Sequence, residues 1–436
     1  MSATAAAPRR LATWQAIGTL FALIAIVRIG MVLAFAPAFP FIDEWEAVVV
    51  GMAKPLRHGQ FDPAYLLASY NGHPLLWTKL ISLFFLRLDG LQFDNVPVCV
   101  FNQIVYALGS ATLAWSAAVR LGPERGWFLF VAMLVIVLPF DWENITMGWG
   151  NPYAILSFFS VGLIVACGCA QATVANMIGI GILGAAAALS MGSGLVAPLI
   201  GAAMLLWRMR LGELSGMRAA GTSAFLVACA WIGFVIGHTT RVTGQDAAWS
   251  SVHLAELALL LVCWLPAWLH LRRYLGGERS RLDLVILCVA AWAFVQIAAM
   301  ILERPRYFRL WLPISRYMDI IPIGMFAVLA SLCRLTASRQ GLPLGLPRAT
   351  ARRALILAAI GVMLVSPLAI YWQLRWAELH RDQAQVMRAY LKTRDPRILA
   401  DAPDSSLAYP SRERLKTLLD DPDTQAIIGK ALRRTD

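Results

Sequence analysis

Long apolar runs alternate with short polar breaks along almost all of this 436-residue chain. The runs are roughly 15 to 25 residues long, the length at which a helix crosses a bilayer. Arginines collect in the breaks, as Arg9-Arg10, Arg120 and Arg125, Arg208-Arg210-Arg218, Arg272-Arg273-Arg279-Arg281 and Arg334-Arg339-Arg348-Arg352-Arg353. Short basic loops stay cytoplasmic. Assigning every cluster to that side predicts eleven spans, near residues 12–36, 96–119, 127–141, 151–171, 175–190, 194–208, 220–238, 253–271, 283–302, 317–334 and 354–373. The expected fold is an all-α polytopic membrane protein in a bacterial-type inner (cytoplasmic) membrane, with a cytoplasmic N-terminus. Its parts are a transmembrane domain, 1–373, and a polar extracytoplasmic tail, 374–436.

One run resists this scheme. Leu75 to Leu88 is apolar but short, and Asp89 and Asp94 follow it rather than arginines. Counting it as a span gives twelve and inverts every later loop. It reads instead as an in-plane or re-entrant helix within the first outer loop, 40–95.

Composition supports this class. Hydrophobic residues make up 59% of the chain and charged residues only 15%, which excludes an ordinary soluble domain. The net charge of +12 sits in the topological arginines and does not point to nucleic acid. Arg9 and Arg10 precede a long run with no small-residue cleavage site before Pro40, so the N-terminus reads as a retained span. The seven cysteines lie in or beside apolar runs, which argues against a disulfide framework.

The unusual polar residues gather on the outer side. Phe41-Ile42-Asp43-Glu44-Trp45-Glu46 places three carboxylates and an indole just after the first run. Ionisable groups at a membrane boundary are costly and mark functional sites. Tyr70-Asn71-Gly72-His73-Pro74 is a turn with a histidine suited to a hydroxyl, a phosphate or a helping base. Trp142-Glu143-Asn144 has the indole, carboxylate and amide of a sugar-facing turn, although Trp142 also suits an interfacial anchor. Arg304, Arg306, Arg309 and Arg316 break the charge rule by lying outside, interleaved with aromatics that include Tyr317. Guanidinium forks suit phosphate, and an anionic lipid-linked substrate would explain both features. Asp43, Glu44 and His73 have donor types for a divalent cation, but no tight ligand spacing accompanies them.

In order and topology these motifs resemble the GT-C superfamily of integral membrane glycosyltransferases. The resemblance rests on Asp43-Glu44-Trp45, Asn71-Gly72-His73-Pro74-Leu75-Leu76-Trp77, Trp142-Glu143-Asn144, Ser190-Met191-Gly192-Ser193-Gly194 and Ser315-Arg316-Tyr317. It implies a sugar taken from a polyprenyl-phosphate donor and passed to a glycan, lipid or protein acceptor of the envelope. It implies a first-loop carboxylate as base, which falls on Asp43 or Glu44, with inversion at the anomeric carbon. Glu46, His73, Trp142, Glu143, Asn144, Arg304, Arg306, Arg309, Arg316 and Tyr317 are then the substrate-binding set. The chain lacks the large periplasmic domain of some members. The alternative is a polytopic transporter or flippase, which should show inverted repeats and mid-membrane charges.

Overall fold

A computed structural model describes residues 7–238, 251–277, 279–303, 315–337, 347 and 349–433. Among the described residues the structure is helical, and its only β feature is the isolated bridge Tyr70–His73. Seven helical stretches are long and apolar enough to cross a membrane: Thr13–Phe35, Asn95–Ala118, Gly148–Cys169, Gly192–Arg210, Gly216–Gly237, Arg281–Leu302 and Ala349–Thr393. An eighth is added if Val252–Cys263 and Leu265–Leu275, bent by 51°, make one broken span. Three other predicted spans hold shorter helices: Arg125–Val137, Val174–Ala188 and Ile321–Ala337, of 13, 15 and 17 residues.

Chain direction alternates through this bundle, so alternate connections meet at one end. Asn95 there donates from its amide to the carbonyls of Pro37 and Thr146, at 3.0 and 2.8 Å. Trp77 Nε1 reaches the carbonyl of Ala186 at 2.9 Å, and Thr78 Oγ1 reaches Asn151 Oδ1 at 2.6 Å. Gln296 Nε2 donates to Ser193 O at 3.0 Å. These connections together form the loop face of the bundle. The opposite end carries the basic residues, with Arg208 and Arg281 both on Glu213 and Arg334 on Asp283.

Over the loop face sits a helical cap with its own apolar core. Phe39, Trp45, Val49 and Met52 from the first loop pack with Met387, Leu415, Leu419, Ile427 and Ile428 from the C-terminal region. The helix Leu76–Leu88 runs beneath it, with Lys79 fully buried. Its ammonium caps the carbonyls of Tyr65 and Ala68 and lies 4.6 Å from the Tyr65 ring centre. At 13 residues, or ~20 Å, this helix is short of the ~30 Å hydrocarbon core.

The tail does not begin where polarity suggests. One 45-residue helix, Ala349–Thr393, passes through residue 373 and carries the chain from the bundle into the cap. Its Leu355 and Ala359 lie in the bundle core and its Met387 and Tyr390 in the cap core.

Candidate active site at the loop face

The acidic knot folds as a strained turn. Ile42 has φ 46°, unusual for a β-branched residue, and such strain costs of order 1–3 kcal/mol. The surroundings enforce it. Ile42 N donates to Ala408 O at 3.2 Å, and Phe41 packs edge-on against Trp376 and His380. A nine-residue π-helix, Trp45–Ala53, follows at once; π-turns are frequent at functional sites.

The three carboxylates of the knot have three different environments. Glu44 is buried and accepts the amides of Phe41 and Trp149, at 2.9 and 3.0 Å. Burial outweighs those amides and pushes its carboxyl up to about 8. Glu46 is taken by the cap: Arg414 binds it at 2.7 and 2.9 Å, and Tyr409 at 3.2 Å. The Arg414 guanidinium holds it below the ordinary carboxylate range. Asp43 is half-buried and accepts the Tyr70 hydroxyl at 3.2 Å. Burial first, and then Asp43, push the Tyr70 hydroxyl well above its ordinary range, so it stays a donor.

Tyr70 is placed by a two-residue reversal. Asn71 and Gly72 both have positive φ, 51° and 79°, as a type I′ turn requires. Tyr70 and His73 exchange two backbone hydrogen bonds of 2.9 Å across it. On the far side His73 Nδ1 accepts Gly192 N–H at 3.2 Å. A side chain at Gly192 would meet that nitrogen at 2.7 Å, so the close approach requires glycine. His73 lines a cleft of about 410 Å³ with Tyr153, Ser193, Gln296 and Tyr317.

The second motif forms a separate clasp. Glu143 N–H donates to Ser315 Oγ at 2.8 Å, while Glu143 Oε2 accepts Arg316 N and Nε at 3.2 and 3.4 Å. Asn144 Nδ2 bridges Arg316 O and Asp319 Oδ2, both at 2.9 Å. The Arg316 side chain keeps 36% exposure, against 11% for Glu143. Tyr317 is buried edge-on against Tyr153, and Trp142 stacks on Trp372 with centroids 6.1 Å apart. Arg304, Arg306 and Arg309 lie outside the described residues.

Asp43, His73, the Glu143–Arg316 clasp and Tyr317 thus occur on one end of the bundle, whereas Glu46 is spent on the cap. Among the described residues, no group of three or more His, Cys, Asp or Glu side chains is arranged to hold a metal. All seven cysteines are free thiols.

Sequence reading missed Arg28, Asp319 and Gln296. Arg28 is buried and binds Gln103 Oε1 at 2.6 Å, Ile136 O at 2.9 Å and the Asp141 carboxylate. Its signal was a lone arginine deep in the first apolar run. A charge there is a site or a pin by default. No protein-family model matches the chain, and no curated protein matches it significantly.

Proposed function

We propose that the chain is an integral membrane glycosyltransferase of the GT-C kind, with its active site at the loop face. It takes a sugar from a polyprenyl-phosphate donor and passes it to an envelope glycan, lipid or protein. The observation that carries this reading is the Asn71–Gly72 turn, with Tyr70 on Asp43 at one side and His73 in the cleft at the other. A carboxylate base and a ligand-sized cleft are joined by four residues. Cavities of ~300–1,000 Å³ are typical of small-ligand sites.

The chemistry follows from these groups. Asp43 takes the proton of the acceptor hydroxyl as it attacks the anomeric carbon, and the sugar inverts. Glu44 is the weaker choice, because a carboxyl titrating near 8 is mostly protonated at neutral pH. Phosphate leaves without a proton, and Arg316 balances its charge once Glu143 releases the guanidinium. The reading orients the loop face outward, with eleven traversals of a cytoplasmic membrane and the basic end in the cytoplasm.

A transporter reading draws on one observation, the buried pair that Arg28 of the first span makes with Asp141. The test separates the two. Envelope glycans from wild-type and deletion cells are compared by mass. Loss of one sugar unit supports the transferase. Unchanged glycans, with donor lipid accumulating on one leaflet, support the transporter.

A further inference from the structure

One buried guanidinium at the loop face meets two carboxylates. Arg28, Asp141 and Asp319 are each 3% exposed or less. Arg28 binds both oxygens of Asp141 through its two terminal nitrogens. The Asp319 carboxyl lies within hydrogen-bonding reach of Asp141. Its Oδ2 accepts Asn144 Nδ2 at 2.9 Å, whereas its Oδ1 is buried and receives no donor. Among the described residues, the other titratable groups around the pair are few. Tyr106 lies under the Arg28 guanidinium, 4.0 Å from ring centre to Cζ, and Glu143 is engaged by Arg316. Tyr153 and Tyr317 stand beside Arg316. With both aspartates ionised, one cation would face two anions, and an unpaired buried charge is strongly disfavoured. Two carboxylates that share such a site keep a proton between them.

We propose that Asp319 is a neutral carboxylic acid donating to Asp141, and that this shared proton positions Asn144 and, through it, Arg316. The proton sits on Oδ1, the oxygen that receives no donor, and leaves Oδ2 to accept Asn144. The same Asn144 Nδ2 holds Arg316 O at 2.9 Å, so the acid pair fixes the backbone from which the guanidinium projects. Gln103 closes the circuit. Its Oε1 accepts Arg28 Nε at 2.6 Å, and its Nε2 donates to Asn144 O at 3.2 Å. Asp319 is thus a positioning residue. Its ionisation would set two carboxylates against each other and draw Asn144 away from Arg316. The arrangement holds whether or not the chain transfers a sugar.

The test uses the full chain in nanodiscs of ether lipids, which have no carbonyl of their own. The parent carries Glu44→Gln, which removes the acid of the first loop. Infrared difference spectra at neutral pH then report the protonated-acid carbonyl of Asp319. Asp319→Asn should abolish that component and leave the melting temperature unchanged, because the amide donates and accepts as the acid does. Asp141→Asn should abolish it too, because Asp319 then ionises against Arg28. Should Asp141→Asn fail to fold, Asp319→Asn decides alone. Positioning is read by phenylglyoxal labelling of Arg316, normalised to the exposed Arg375. The ratio should rise with pH as the acid component disappears, and should stay flat in Asp319→Asn. An unchanged spectrum or a clear fall in melting temperature in Asp319→Asn overturns the neutral acid. An acid component kept in folded Asp141→Asn overturns the sharing. A labelling ratio that rises equally in Asp319→Asn overturns the link to Arg316.

Discussion

Arg414 holds Glu46 with two nitrogens, at 2.7 and 2.9 Å, although 368 residues separate them along the chain. Lys54–Asp421 and Asp89–Lys430 repeat the pattern on either side. The first loop and the C-terminal helices are therefore one folded unit. The backbone that presents Asp43 is braced by residues from the far end of the sequence.

Breaking this brace should loosen the cap without unfolding the bundle. Glu46→Gln and Arg414→Gln should each lower stability modestly, and the exchange Glu46→Arg with Arg414→Glu should recover part of it. The coupling in a double-mutant cycle should be about 1 kcal/mol, because both side chains are partly exposed. Limited proteolysis of the C-terminal helices provides the readout. Strictly additive losses would show that the pair is idle.

Asp43→Asn should leave the protein folded and reduce transfer ~10²–10⁴-fold, the usual contribution of a general base. Tyr70→Phe removes a hydrogen bond rather than the base, so its loss should be near 10-fold. Wild-type turnover by Asp43→Asn at normal protein levels would transfer the role elsewhere.

Glu44 makes stability depend on pH. Its carboxyl titrates near 8 in the folded state and near 4.5 unfolded, so the folded protein binds the extra proton between those values. Stability from this group is fully present below pH 4.5 and is lost as pH rises through 8. The wild-type melting temperature should fall between pH 5 and 8.5 more steeply than that of Glu44→Gln. Parallel curves would place the titration in another group.

Arg316→Lys keeps the charge and loses the planar fork, so donor KM should rise about 10-fold with little change in expression. Glu143→Gln should weaken the grip on Arg316 and lower donor KM. Donor kinetics unchanged in Arg316→Lys, and also in lysine variants of Arg304, Arg306 and Arg309, would exclude phosphate recognition by this segment.

Single cysteines at Gln60 and Ser405, both exposed in the cap, should react with an impermeant thiol reagent from outside in a cysteine-free background. One at Ser215, exposed at the basic end, should be protected until the membrane is permeabilised. The reverse pattern would put the cap in the cytoplasm.

Helix positions were largely legible, because apolar runs and their stops are local. The helix Asn95–Ala118 begins where Asp94 caps it, accepting Val96 N–H, one residue from the boundary read in the sequence. Partnerships were not legible. Glu46 looked like a ligand because nothing nearby in sequence neutralises it; its partner is Arg414. Arg28 was passed over because its neighbours are apolar, and its partner Asp141 lies 113 residues away. The strain at Ile42 has no sequence signature, since Ala408, Trp376 and His380 impose it from a distant segment.

The helix Ala349–Thr393 is ~68 Å long at 1.5 Å per residue, about twice the hydrocarbon thickness. It acts as a shaft whose lower half is seated in the bundle and whose upper half carries Trp376, His380 and Tyr390 into the cap. Tilting the shaft to match a thinner or thicker bilayer swings these rings, of which Trp376 and His380 pack directly on Phe41. Membrane thickness thereby becomes a mechanical input to the turn that holds Asp43.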